Sequence, residues 1–355
     1  MSQRKIPRKA TDRGNELRGV IRATEEDALR TIRRDLGQCG FVCSVFMGAE
    51  GLNLYSNSKE VVRLLEGPFA SFIPGWRISD EKANSGSRLY IFEQDSFFMQ
   101  TNGRTVHLVG KLDDLSKGNT VPYVAQYLLE GERADAGKLT THGAAVAKGD
   151  TGILILGKQG SGKTSLTLEL CRKHGYSLIG NDLVILGGLE NGEAHLYDGT
   201  KLFQVRLSTI RHYNQDLRPY FPDNPQTDEW HSVAYLSPQD LGITVQNNPS
   251  KIGRVILVHL VNDRESPLIV ETQNLMFSRI YLHQIFSDYI RGSAIMPLVG
   301  ASLEYSGFLP SLETPDSYRK REQLINWIIE NNGYKYVSGP LPKIASYVGG
   351  IHDQA

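Results

Sequence analysis

"ILILGKQGSGKTSLTLEL", residues 153–170, is the stretch on which the fold turns. Four aliphatic residues without a polar break predict a short strand buried on both faces. After them comes the octet Gly157, Lys158, Gln159, Gly160, Ser161, Gly162, Lys163 and Thr164, which satisfies G-x-x-x-x-G-K-[ST] at every fixed position. An apolar-periodic run beginning at Ser165 then predicts a helix. Phosphate binding needs this order. Glycines let successive backbone N–H groups converge on phosphate oxygens, and the helix that follows points its partially positive end at the same spot. Lys163 is expected to reach the β and γ phosphates of a nucleotide, ATP, and Thr164 to offer its hydroxyl to Mg²⁺. The octet together with Ser165 is therefore the expected nucleotide-binding segment.

The rest of the chain sets the bounds. Its 355 residues suggest two domains, or one large α/β domain with an appendage. With 40% hydrophobic and 22% charged residues, disorder and fibre are excluded. Lys plus Arg and Asp plus Glu are both 39, so no net field recruits nucleic acid or an anionic membrane. Arg4, Lys5, Arg8, Lys9, Arg13 and Arg18 cluster near the start and read as a solvated terminus that can also contact a phosphate-rich partner. Cys39, Cys43 and Cys171 allow neither a disulfide framework nor a Cys-x-x-Cys metal site. With no cationic-then-apolar leader and no run of about eighteen apolar residues, the protein is expected to be cytoplasmic and without a membrane span.

Patterning divides the chain. Residues 24–36, "TEEDALRTIRRDL", place Ala28, Leu29, Ile32 and Leu36 on one stripe, which predicts a helix. Residues 87–111 alternate around Asn102-Gly103, a hairpin signal. Helical spacing follows in "VPYVAQYLLEGERADAG", and "THGAAVAKGDTGILILG" predicts two buried strands joined by a Gly-Asp turn. Beyond residue 138, apolar strands alternate with helical segments, predicting an α/β core covered on both faces. Residues 213–250, rich in Pro, Asn, Asp and Gln, are expected to be mostly loop.

Two polar groups near the octet can carry chemistry. Asn181-Asp182 interrupts an apolar run in "GYSLIGNDLVIL", read as a strand pair with the polar residues at a strand end. There an Asp can hold Mg²⁺ or accept a proton from an attacking hydroxyl, or it can simply close a turn. His142, alone between small residues, is either a structural histidine or a functional one.

Residues 142–186, "HGAAVAKGDTGILILGKQGSGKTSLTLELCRKHGYSLIGNDLVIL", resemble the catalytic core of the HPr kinase family and its PEP-carboxykinase-like relatives. That family carries a His-Gly, a P-loop, a helix and a Gly-aromatic or Gly-His segment leading to an Asp-Asp pair. Residues 199–206, "GTKLFQVR", resemble its later Glu-x-Arg strand more weakly. The resemblance implies a PEP-carboxykinase-like P-loop kinase core over residues 121–340, a small α+β N-terminal domain over 1–120 and a C-terminal tail over 341–355. It implies Asp182 as metal-side carboxylate or general base, His142 as its orienting neighbour, Arg206 on phosphate or substrate, and a homo-oligomer. Two positions depart from the pattern. Asn181 stands for the first Asp, and Gln204 for a metal-binding Glu. Both keep shape and remove charge, so Mg²⁺ is held with less anionic help, and the glycine-rich strand of true HPr kinases is missing. The expected activity is transfer of the γ-phosphoryl group of ATP to a hydroxyl of a protein, peptide or small molecule. A nucleotide-binding regulator without turnover is the alternative. A decarboxylating carboxykinase lacks the further basic and metal-binding motifs it would need.

Overall fold

The computed structural model describes residues 39–350 except 96, 191, 211–212, 223–227, 230, 294–297, 300–303, 306–308 and 332–333. The helix expected at 24–36 and the basic cluster before it lie outside the described residues. Two sheets organise what is described. The first has six strands, β1 (Gly40–Met47), β2 (Glu50–Ser56), β3 (Trp76–Ser79), β4 (Arg88–Glu93), β5 (Phe98–Asn102) and β6 (Thr105–Gly110), in the order β3-β1-β2-β4-β6-β5. Alternate residues of these strands, among them Val45, Met47, Leu52, Leu54, Leu89, Ile91, Val106 and Leu108, turn to one face. There they share a core with α1 (Leu112–Lys117) and α2 (Thr120–Asp135), which supplies Val121, Val124, Ala125 and Leu128.

The hairpin around Asn102-Gly103 forms, shifted by one residue. Asn102 pairs with Thr105, so Gly103 and Arg104 are the corner residues, and Gly103 takes the positive φ of 56°. β4 is not the other arm of that hairpin. It lies parallel to β6 on the opposite side from β5, a non-local pairing that alternation cannot report.

The second sheet is mixed and has the order β10-β9-β7-β8-β13-β17-β14. Its strands are β7 (Lys138–Lys148), β8 (Thr151–Leu156), β9 (Ser177–Glu190), β10 (Glu193–Gly199), β13 (Ser250–Leu260), β14 (Ile269–Thr272) and β17 (Lys335–Gly339). β8, β13 and β17 run parallel, and β7 turns back into β8 through Gly149-Asp150. "ILIL" is apolar throughout because it has no solvent face. Leu154 and Leu156 pack under α4 (Leu275–Ser287) and α5 (Pro315–Asn331). Ile153 and Ile155 pack under α3 (Lys163–Lys173) and α6 (Leu341–Gly349). Helix α6 falls in the stretch set apart as a C-terminal tail, and its Leu341, Ile344, Ala345 and Val348 are fully buried in that core.

Within the polar segment 213–250, β12 (Val233–Leu236) pairs with β11 (Phe203–Arg206). Leu217, Phe221, Leu236, Leu241 and Ile243 form a small core against Leu168 of α3. A two-residue ladder, β15 (Leu298–Val299) with β16 (Glu304–Tyr305), completes the strands described. The two sheets meet at Arg133 of α2, which is fully buried. Its guanidinium donates to Glu130 and Thr140 Oγ1, both at 2.6 Å, and to the Met47 carbonyl at 2.9 Å.

Candidate functional site

β8 delivers the glycine octet to the carboxyl ends of the parallel strands, where open α/β sheets bind ligands. The Leu260 N–H, at the end of β13, donates to the Ser161 carbonyl at 2.9 Å and pins the loop to the sheet. Gly162 has φ +95°, and a Cβ there would lie 2.5 Å from the Leu260 side chain. Backbone conformation and space both require glycine, and α3 starts at the next residue.

Lys163 is 8% exposed, and its ammonium donates to the carbonyls of Gly157 at 2.8 Å and Lys158 at 3.2 Å. Burial pushes its pKa down to about 8, with the Asp182 carboxylate pulling the other way. A buried ammonium held by neutral carbonyls gains a stronger, charge-assisted partner when an anion enters the loop.

Asp182 lies inside the continuous strand β9, and not at a strand end as the sequence suggests. It has φ +85° and is one of two described non-glycine residues with positive φ. Such a conformation costs about 1–3 kcal/mol and persists only where the surroundings enforce it. Asp182 sits opposite Gly143 in the ladder. Its Oδ1 lies 3.3 Å from Nδ1 of His142, and both side chains are half-exposed. Burial, and then the Lys163 charge, push the His142 pKa below its usual value, with Asp182 opposing. The imidazole is therefore uncharged at neutral pH.

These groups line one cleft of about 670 Å³, together with Gln159, Gly160, Thr164, Ser165, Asn181, Gln204 and Arg206. Gly157, Lys158 and Ser161 of the octet are not on its wall. Gly157 and Lys158 meet Lys163 through their carbonyls, and the Ser161 hydroxyl is buried without a hydrogen-bond partner. Asn181 is 2% exposed, and its Oδ1 has no partner either. Among the described residues the wall thus brings together the glycine octet's backbone, the Asp182 carboxylate, the Thr164 hydroxyl and the Asn181 amide. Hard oxygens of this kind fit Mg²⁺ that arrives bound to phosphates. Among the described residues no group of three or more His, Cys, Asp or Glu is placed to hold a metal ion by itself.

Sequence reasoning missed Ser208, Thr209, Tyr213, Leu260 and Asn262 on the same wall. Leu260 and Asn262 had a usable signal, since they end and follow an apolar strand of the parallel core. Ser208, Thr209 and Tyr213 had none.

No family model matches the chain, and no curated protein matches it. Among solved structures, the Hpr(Ser) kinase/phosphatase from Coxiella burnetii is similar at 19% identity and a TM-score of 0.22, over 38% of this chain and 72% of that one. At that level the likeness carries no argument about this chain. No described helix is long and apolar enough to cross a membrane.

Proposed function

We propose that the protein is an Mg²⁺- and ATP-dependent phosphotransferase with a PEP-carboxykinase-like kinase core, acting on a hydroxyl of a protein, a peptide or a small metabolite. The observation that supports this is the convergence of Lys163, Thr164, Asp182, His142 and Arg206 on one cleft at the end of β8. Bound Mg²⁺–ATP would supply the phosphoryl group and most of the anionic field. The chain's own residues position and neutralise, which is most of what phosphoryl transfer needs. The octet's N–H groups bind phosphate oxygens, and Lys163 exchanges its carbonyl partners for them. The Asp182 carboxylate would accept the proton of the acceptor hydroxyl as the hydroxyl oxygen bonds to the γ-phosphorus and the bond from that phosphorus to the β,γ-bridging oxygen breaks, ADP leaving with the bridging oxygen. His142, uncharged, orients that carboxylate from 3.3 Å. Arg206 compensates negative charge on phosphate or acceptor. We further propose a cytoplasmic homo-oligomer.

A second reading, a nucleotide-binding regulator without turnover, is favoured by one observation: Asn181 and Gln204 bring neutral amides to a wall where the resemblance expects carboxylates. γ-Labelled ATP with Mg²⁺ and a panel of serine peptides and polyols separates the two. Label on an acceptor with wild type, lost in Lys163→Ala, supports the phosphotransferase. Nucleotide protection without labelled product supports the regulator.

A further inference from the structure

A left-handed residue in mid-strand has to be held, and one residue holds Asp182 from both sides. The Asn181 N–H donates to the Thr200 carbonyl at 2.7 Å, and the Thr200 N–H donates to the Leu183 carbonyl at 2.9 Å. The two bonds bracket Asp182 alone. Thr200 follows β10 directly and is 1% exposed. The contact is backbone on backbone, since a Cβ on Gly199 would lie 2.5 Å from Gly180 Cα and 2.6 Å from the Leu183 carbonyl oxygen. Thr200 is in turn anchored outside the second sheet. Its hydroxyl donates to the carbonyl of Phe72, the last residue of a short 3₁₀ segment, Pro68–Phe72, that leads into β3 and packs Phe69 against the core of the first sheet. The Phe72 ring meets Tyr235 edge-on at 5.5 Å, and Tyr235 is the ladder partner of Gln204 on the cleft wall.

We infer that Thr200 is a positioning residue for Asp182, and that through its hydroxyl the six-stranded unit fixes the carboxylate that faces the cleft. The inference rests on the reading of Asp182 as the functional carboxylate. A plain staple between the two sheets could attach anywhere along β9, whereas this one closes around the only described residue of the second sheet that is left-handed without being glycine. The six-stranded sheet and its two helices, which among the described residues contribute none to the cleft wall, thereby acquire a part in the chemistry. With the anchor gone, the bracket loosens, Asp182 relaxes toward ordinary strand geometry, and its carboxylate leaves the line to the acceptor hydroxyl. The cradle for the nucleotide stays in place, because Thr200 does not touch it.

The test compares Thr200→Val, which keeps shape and loses the hydroxyl, with Thr200→Ser, which keeps the hydroxyl. Three quantities are read on the full chain: amide hydrogen exchange at Asn181 and Thr200, the Kd for nucleotide, and kcat for phosphoryl transfer. Thr200→Val is expected to speed exchange and lower kcat, each by about tenfold, the equivalent of one buried hydrogen bond. Nucleotide Kd stays within twofold, and Thr200→Ser restores both losses. Thr200→Ala carries the same expectations if the valine variant does not fold. Exchange and kcat within twofold of wild type overturn the inference, as does a loss of thermal stability with kcat unchanged. Should wild type transfer no phosphoryl group, the functional reading fails separately. The exchange data still decide whether Thr200 clamps Asp182.

Discussion

Raising the pH from 7 to 9 will weaken nucleotide binding about tenfold through a single side chain. Lys163 has a pKa of about 8, because burial disfavours its charge by more than the Asp182 carboxylate favours it, and the ammonium's hydrogen bonds go to neutral carbonyls. About nine-tenths of the lysine is charged at pH 7 and about one-tenth at pH 9. Phosphates stabilise the charged form, so the bound pKa lies above the free one. Affinity is therefore full below pH 8 and is lost as the pH rises above it, by up to about tenfold per unit until the bound pKa is reached. Calorimetric titration with a non-hydrolysable ATP analogue at pH 7, 8 and 9 measures this. In buffers of different ionisation heat, binding at pH 8 takes up about half a proton. A Lys163→Met variant binds weakly at pH 7 and shows no such slope, which separates the lysine from titration of the nucleotide. A flat Kd in wild type, or an equal slope in the variant, refutes the reasoning.

Asp182→Asn is expected to lower phosphoryl transfer by about a hundred- to ten-thousand-fold, the usual contribution of a general base, while Asn181→Asp changes it by less than tenfold. Steady-state rates with a fixed acceptor check both. Asp182→Gly abolishes transfer yet raises the thermal midpoint by about 2 °C, because glycine adopts φ +85° without the penalty an aspartate carries. A lower midpoint in that variant would show that the carboxylate stabilises the fold. Mg²⁺ titrated into the protein without nucleotide binds weakly, since Asp182 is the one carboxylate on the cleft wall among the described residues. Tight binding without nucleotide would reveal an acidic group outside this site.

Local signals were legible and long-range ones were not. The octet, its flanking strand and helix, the Gly149-Asp150 turn and helix α2 all follow from residues adjacent in the chain. Their chemistry, glycine for positive φ and an apolar run for burial on two faces, is decided within about ten residues. Asp182 was legible as a polar break but not as a kink within one long strand. Its backbone is bracketed by bonds to Thr200, eighteen positions later, and that threonine looks ordinary in sequence. The parallel pairing of β2, β4 and β6 stayed hidden for the same reason. Period-2 alternation marks a strand's buried face and says nothing about its neighbour. Gln204 and Arg206 were placed only by resemblance, and they reach the cleft because β11 is paired with β12 from the segment expected to be mostly loop.

We propose above all that this cleft holds the phosphates of a nucleotide, with Lys163 moving onto them. A crystal structure with Mg²⁺ and a non-hydrolysable ATP analogue tests it most directly. The phosphate chain is expected in the loop 157–164 and Lys163 Nζ swung from the Gly157 and Lys158 carbonyls to phosphate oxygens, with Asp182 still left-handed beyond the γ-phosphate. A nucleotide bound elsewhere, or a Lys163 that keeps both carbonyls with the nucleotide present, would contradict it.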